Sequence, residues 1–335
     1  MNRLLAACLL IFATLPLSSG DRPLFRPPTV STFSIVAIDP SNGDLGVAVA
    51  SRYFSVGAVV PWAMAGVGAV ATQADVNVGY GPQGIDLLRQ GLSAPQVLEK
   101  IRAEDTFEDK EGRQVAIVDA QGRIATYTGP NAPHWAGDRQ GKTWSAQGNI
   151  LVGPQVPEAM GRAFDATQGE LAEKLYAALK AGDDAGGDSR GRQSASMLVV
   201  RKQGGRNINN DRYIYINVDD NPQPFAELRR LLDLNLAYLY ENEADRLLSA
   251  HKSKEALAAA TTAVRYSPNR PDSHIALGLL EYLSGNKEAA LEELLRAKKM
   301  DPDFKKRFDQ TLEWTSEFRA ILKDEDFLAK LFPKK

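Results

Sequence analysis

Cysteine is almost missing from this chain: among 335 residues there is one, Cys8. It falls inside a signal-like segment, so a mature protein without that segment has no disulfide, no thiol nucleophile and no cysteine-based zinc site. Histidine is nearly as scarce, with three copies and no metal-ligand spacing. No metal or other cofactor is expected. A basic face is lacking too, since 40 Lys and Arg against 42 Asp and Glu leave a net charge of -2. No cationic cluster is interleaved with aromatics, which argues against a nucleic-acid partner. The longest apolar run, Leu4 to Leu17, has 14 residues, short of the roughly 20 that a membrane-crossing helix needs. No stable span is expected in the mature protein.

What that run does have is the setting of a secretory signal. Arg3 precedes it and the small residues Ser18-Ser19-Gly20 follow it. Residues 1–20 are read as a signal peptide, and the expected location is periplasmic or secreted. Leu5-Ala6-Ala7-Cys8 is similar to a lipoprotein box, but here the apolar run mostly follows the cysteine instead of preceding it. Residues 21–31 have three prolines and no period, and read as an extended leader.

From Thr32 the chain becomes ordinary globular material, 44% hydrophobic and 24% charged over its full length, enough for about two domains. Residues 32–38 and 44–51 read as strands joined through Pro40-Ser41-Asn42-Gly43. If Asp39 faces Asp44, then Thr32 faces Ser51, with Arg52 just beyond. Strands are also expected at 57–61 and 66–73, 113–120 and 123–128, 143–150, 197–200 and 211–218. Helices are expected at 81–90, 93–102, 157–167 and 170–181, the second opened by Ser93 as N-cap with Pro95 in its first turn. Strands in hairpins with helices inserted in pairs argue for antiparallel sheets with helical layers, an α+β arrangement. Residues 129–142 read as a loop carrying His134, a substrate contact or an ordinary loop histidine. Gly141-Lys142-Thr143 is not a phosphate loop, because that pattern needs glycine where Ala136 stands.

Several segments resemble the Domain of Unknown Function 1028 family. They are Thr32 to Ala37, Gly46 to Ser51, Val56 to Trp62, Gly66 to Gln73, Gln147-Gly148-Asn149-Ile150, and Gly186-Gly187-Asp188 through Arg190-Gly191 to Gln193-Ser194-Ala195. The resemblance implies the fold of the N-terminal nucleophile (Ntn) hydrolases, a four-layer αββα sandwich with antiparallel sheets. It implies a threonine nucleophile whose own α-amine is the general base. Here that requires a cut between Ser31 and Thr32; otherwise Thr32 is a β-branched strand starter with an amide in place of the amine. Arg52 is either a cation that lowers the amine's pKa or a solvated strand-end charge. Asn149 and the backbone near Gly148, or the N–H groups of Gly186-Gly187, are the candidate oxyanion donors, and Asp188 the group that orients the amine. Ser51, Gln73, His134, Gln147, Gln193 and Ser194 are the candidate substrate contacts; each is also readable as loop or strand-end polarity.

After residue 220 the pattern turns helical. Ala256, Ala263 and Pro268 recur 34 residues later as Ala290, Ala297 and Pro302, the tetratricopeptide period. Two such repeats, about 237–270 and 271–304, are expected with a capping helix to about Leu331. Two repeats are marginal alone, so docking on the preceding domain or a protein partner is expected. The domains are thus 1–20 signal, 21–31 leader, 32–220 Ntn-like and 221–335 helical. The functional expectation is an exported amide hydrolase acting on a small amide or peptide. The alternative is a non-catalytic periplasmic binding or assembly protein that keeps the fold as scaffold and binds partners through its helices.

Overall fold

The computed structural model describes residues 32–333. The expected signal peptide, leader and Cys8 lie outside the described residues. The protein is a mixed α+β structure with two antiparallel sheets and a C-terminal region of several helices.

The first hairpin pairs β1 (Thr32–Asp39) with β2 (Asp44–Ser51) through the turn at 40–43. Asp39 Oδ1 accepts from Ser41 N at 2.9 Å, and Gly43 takes a positive φ of 78° that closes the turn. The turn sets the register, and Thr32 lies opposite Ser51. On the other side β1 pairs with β8 (Trp144–Asn149), which brings Asn149 opposite Thr32. The six-stranded sheet is completed by β7 (Gly137–Gln140), β9 (Ser194–Val200) and β10 (Arg212–Val218), in the order β10-β9-β2-β1-β8-β7. The four-stranded sheet runs β3 (Pro61–Met64), β4 (Gly68–Ala74), β5 (Arg113–Asp119), β6 (Ile124–Thr128).

Alternation sorts the side chains. Val36, Ile38, Val47 and Val49 meet Ala69, Ala71, Ala116 and Val118 in an apolar core between the sheets. The outer face of the larger sheet (Phe33, Ile35, Ala48, Met197) is covered by α3 (Gln155–Ala166) and α4 (Leu171–Asp184). That of the smaller sheet (Val70, Val115, Ile117) is covered by α1 (Tyr80–Arg89) and α2 (Ala94–Ala103). Ser93 caps α2, with its N–H donating to Gln96 Oε1 at 2.9 Å.

Residues 224–331 form α5 (Pro224–Ser249), α6 (Ser253–Tyr266), α7 (Pro271–Leu283), α8 (Lys287–Met300), α9 (Phe304–Trp314) and α10 (Glu325–Leu331). The helix α5 belongs to two cores. Phe225, Leu228, Leu232 and Leu236 join the larger sheet's helical layer, whereas Ala244, Leu247 and Leu248 pack with α6 to α8. Among the described residues no helix is long and apolar enough to cross a membrane.

Three local expectations need correction. Residues 56–58 form a 3-10 turn, not a strand, and β3 starts at Pro61 with its turn at 65–67. Gly57 in this turn packs directly against β9 and β10, where a Cβ would sit 1.9 Å from Asn217 Oδ1 and 2.7 Å from Ser196 Oγ. The loop at 129–142 contains the edge strand β7, which is polar and half in solvent and so lacks an apolar signature. The strand expected at 197–200 begins at Ser194, its inward positions there being small serines.

Gly161 in α3 tests how tightly this layer is packed. A Cβ there would lie 2.1 Å from the Trp144 ring, which is held by its Nε1–H donating to Asp165 Oδ1 at 2.8 Å. Gly161→Ala gains about 1 kcal/mol of helix propensity but forces overpacking of about 1–3 kcal/mol. With the ring pinned, a net loss is expected, read as a lower urea midpoint.

Candidate functional site

The inner faces of both sheets change character at the same end. Along β1 the inward residues run Ile38, Val36, Ser34, Thr32, and along β4 they run Ala69, Ala71, Gln73. On β5 the series is Val118, Ala116, Gln114. The outcome is a fully buried polar patch where strand pairing lines up Ser194, Ser51, Thr32 and Asn149 across four strands.

The patch is held by side-chain amides. Gln73 Nε2 donates to the Thr32 carbonyl at 3.3 Å and to Gln114 Oε1 at 2.8 Å. Gln114 Nε2 in turn donates to Gly148 O at 2.9 Å, and Asn149 Nδ2 donates to Gln114 Oε1 at 3.1 Å. Ser34 Oγ donates to Gln73 Oε1 at 2.6 Å, and Gln147 Nε2 donates to Ala71 O at 3.1 Å. Thr32 Oγ1 donates to Ser51 Oγ at 3.2 Å. Two strands end beside this network in left-handed residues, Ala74 (φ 66°) after Gln73 and Ile150 (φ 51°) after Asn149. For the β-branched Ile150 that conformation is strained by about 1–3 kcal/mol.

Behind Ser51 opens a cleft of about 360 Å³, lined by Phe33, Ala50, Ser51 and Phe225 and rimmed by Arg52, Asp183, Asp188 and Arg192. Asp188 accepts from Arg52 N at 2.9 Å, from Arg190 N at 2.9 Å and from the Arg190 guanidinium at 3.1 and 3.2 Å. Arg192 pairs with Asp183, and that carboxylate holds its guanidinium further above its already high pKa. Ser194 lines the cleft and ties β9 to the next loop, its Oγ donating to Tyr53 O at 2.5 Å and accepting from Val56 N at 3.3 Å.

The structure therefore brings together Thr32, Ser51, Asn149, Gln73 and Gln147 between the sheets, and Arg52, Asp188, Ser51 and Ser194 on the cleft. Two candidates stand apart. Gln193 turns away, its Nε2 donating to Asp220 Oδ1 at 3.2 Å. His134 is exposed on its loop, although Pro133 O and Trp135 O in that loop accept from Ile150 N and Leu151 N. The Gly186 and Gly187 N–H groups are not aimed at an oxyanion. They close α4 by donating to Asp183 O and Gly182 O at 3.0 Å, a Schellman ending with Gly186 at φ 113°. Among the described residues no group of three or more His, Cys, Asp and Glu gathers as a metal site would.

Ser34, Gln114, Arg190 and Phe225 were missed from sequence. Ser34 and Gln114 had a signal, being polar at the inward positions of otherwise apolar strands.

A model of a family of unknown function, DUF1028, matches residues 32–228, more than half of the chain. The chain belongs to the DUF1028 family. A crystal structure of a DUF1028 protein from Silicibacter pomeroyi is similar at 29% identity and a TM-score of 0.55, with 60% of this chain and 84% of that chain covered. No curated protein matches. The matched residues hold the whole polar patch and the cleft, and end within α5.

Next to Gln114, Arg113 anchors the start of β5 in a buried pair. Its Nε–H donates to Asp105 Oδ2 at 3.0 Å, and Tyr80 OH donates to the same oxygen at 2.8 Å. Burial alone would raise the Asp105 pKa, but hydrogen bonds from Tyr80, Phe107 N and Arg113 outweigh it and hold the carboxyl below its usual 3.8.

Two outcomes follow for stability. Gln114→Ala strands buried partners of its amide, at about 1–3 kcal/mol each, so urea unfolding should show a loss of at least about 2 kcal/mol. Asp105→Asn should destabilise at neutral pH by leaving Arg113 unpaired. Because the folded pKa is depressed, the wild-type advantage is present above pH 3.8 and shrinks as pH falls through the lower folded value. Unfolding curves of both proteins between pH 7 and 2 check this.

Proposed function

We propose that this DUF1028 protein is an exported Ntn-type hydrolase that cleaves an amide bond with Thr32 as N-terminal nucleophile. The observation that carries the reading is the position of Thr32, first residue of the central strand β1 and facing the polar end of the inter-sheet layer beside Ser51 and Asn149. Two facing antiparallel sheets between helix pairs support the Ntn-type αββα arrangement. In the helical region, the buried Ala256, Ala263, Ala290 and Ala297 recur at equivalent places on α6 and α8, which supports a tetratricopeptide-like pair.

In this reading the Ser31–Thr32 bond is first cut, which gives Thr32 a free amine of pKa about 7.7–8.0. The amine takes the proton from Oγ1, and the oxygen attacks the substrate's amide carbonyl. The tetrahedral oxyanion is met by the Asn149 amide across the strand pair. The C–N bond breaks, the departing amine leaves with the proton, and Thr32 carries the acyl group as an ester. Water, deprotonated by the same α-amine, then releases the acid. Gln73, fixed on the Thr32 carbonyl, holds the nucleophile's backbone against the sheet.

One observation favours the scaffold reading, a binding or assembly protein acting through its helices: Thr32 is 0% exposed. Mass spectrometry of the mature N-terminus separates the two. The hydrolase reading expects a species beginning at Thr32 that forms an acyl adduct with an amide-reactive probe. Thr32→Ala should lose the adduct, and Asn149→Ala should slow acylation about 100–1000-fold. A mature protein beginning near Asp21 with Thr32 always internal, or equal labelling of Thr32→Ala, sinks it.

A further inference from the structure

The cleft beside Ser51 carries an imbalance of charge that bears on what it takes. Its two carboxylates are already engaged: Asp183 by Arg192, and Asp188 by Arg190 and the Arg52 main-chain N–H. Arg52 is the cation left over. Among the described residues no carboxylate lies within ion-pair distance of its guanidinium, whose Nη1 donates only to the Arg192 carbonyl, at 3.2 Å. That carbonyl bond holds the fork at the cleft rim, where Gly191, having no Cβ, leaves room beside Nη1. The floor beneath it is apolar, made by Phe33 and Phe225, whose rings stack at 6.2 Å, with Ala50, Pro222 and Pro224. A volume of about 360 Å³ is at the small end of the roughly 300–1,000 Å³ of small-molecule sites. It suits the end of a chain better than its middle.

We infer that the cleft binds the free α-carboxylate of an acyl-amino acid or of a short peptide's last residue, Arg52 taking the carboxylate and the Phe33–Phe225 floor the apolar side chain. A planar guanidinium matches a carboxylate with two parallel N–H bonds, which a neutral carboxamide cannot return. This deepens the hydrolase reading and rests on it for the chemistry. The amide cut would be the one on the nitrogen of the bound residue, so that RCO–NHR′ and water give RCOOH and H₂NR′, with the amino acid departing first. Arg52 then acts on the substrate, not on the pKa of the Thr32 amine.

Binding, measured without turnover, tests this on the whole mature chain. Calorimetric titration compares N-acetyl-phenylalanine with its carboxamide, and Gly-Gly-Phe with its C-terminal amide, on wild type, Thr32→Ala and Arg52→Gln. In at least one pair the acid should bind about tenfold more tightly than the amide on wild type and on Thr32→Ala, and Arg52→Gln should erase that difference. The pair that shows it identifies the source of the carboxylate. Arg52 is exposed, so unchanged far-UV circular dichroism is expected of its variant. Equal binding of acid and amide in both pairs, no binding of any of the four, or a preference that survives Arg52→Gln overturns the inference. A preference kept by a protein whose Thr32 is never freed leaves the inference standing and the hydrolase reading refuted.

Discussion

Everything at the polar end of this fold depends on one side chain, the Gln114 amide. It stands between two sheets whose core is otherwise built mainly from Val, Ile, Leu and Ala, and it meets Gln73, Asn149 and the Gly148 carbonyl at once. Buried amides are tolerated only when their donors and acceptors are matched. The partners of Gln114 come from β4 and β8, on different sheets, so matching them fixes the spacing and lateral register of one sheet over the other. An apolar contact would leave that register free to slide. Gln73 extends the constraint to the Thr32 carbonyl, so the first residue of β1 is located by directional bonds as well as by ladder pairing.

This arrangement places polar groups where the hydrophobic effect alone would put valine. Continuing the series Val118, Ala116 and Ala69, Ala71 in apolar residues would bury more apolar area and need no amide matching. Together with the left-handed Ile150 and Ala74 at the ends of the same strands, the patch departs from what stability favours. Such departures concentrate where a fold positions reactive groups. The rest of the fold makes up for them: the inter-sheet core is otherwise fully buried and aliphatic, and the outer layers close on α1 to α4.

How much of this was legible in the sequence follows from how local each determinant is. The Thr32–Ser51 register was readable because it depends on four turn residues, with Asp39 and Gly43 making the turn by themselves. The Thr32–Asn149 juxtaposition was not, since β1 and β8 are more than a hundred residues apart and only their adjacency in the sheet reveals it. Gln114 stood out only as a polar residue at an inward position of an apolar strand; its role exists only once β5 is laid over β1 and β8. Arg52 was placed correctly just beyond the end of β2, but its surroundings depend on the 183–192 segment, whose Gly186 and Gly187 turn out to end α4. The break at Asn221-Pro222-Gln223-Pro224 marked a change of pattern without showing that the next helix re-enters the preceding core through Phe225, Leu228, Leu232 and Leu236.

That re-entry ties the helical region to the cleft. The 26 residues of α5 form one uninterrupted helix, about 39 Å long at 1.5 Å per residue. Pro224 and Phe225 in its first turn line the cleft, while Leu247 and Leu248 in its last turns pack into the helical core. Midway, Tyr240 donates to Glu170 at the start of α4, and Tyr213 of β10 donates to the same carboxylate at 2.6 Å. Burial and then Glu170 push both phenols well above their usual pKa, so they remain protonated donors to it throughout the neutral range. Arg201, itself bonded to Asp44 of β2 at 2.6 and 2.8 Å, lies 3.8 Å from the same Glu170. The helix is thus joined to the larger sheet's layer in two places, by the Phe225–Phe33 stack at its first turn and by Tyr240 on the Glu170 cluster further along. Phe33 is the residue after Thr32, so the wall of the cleft and the candidate nucleophile rest on the same strand and are braced by the same helix.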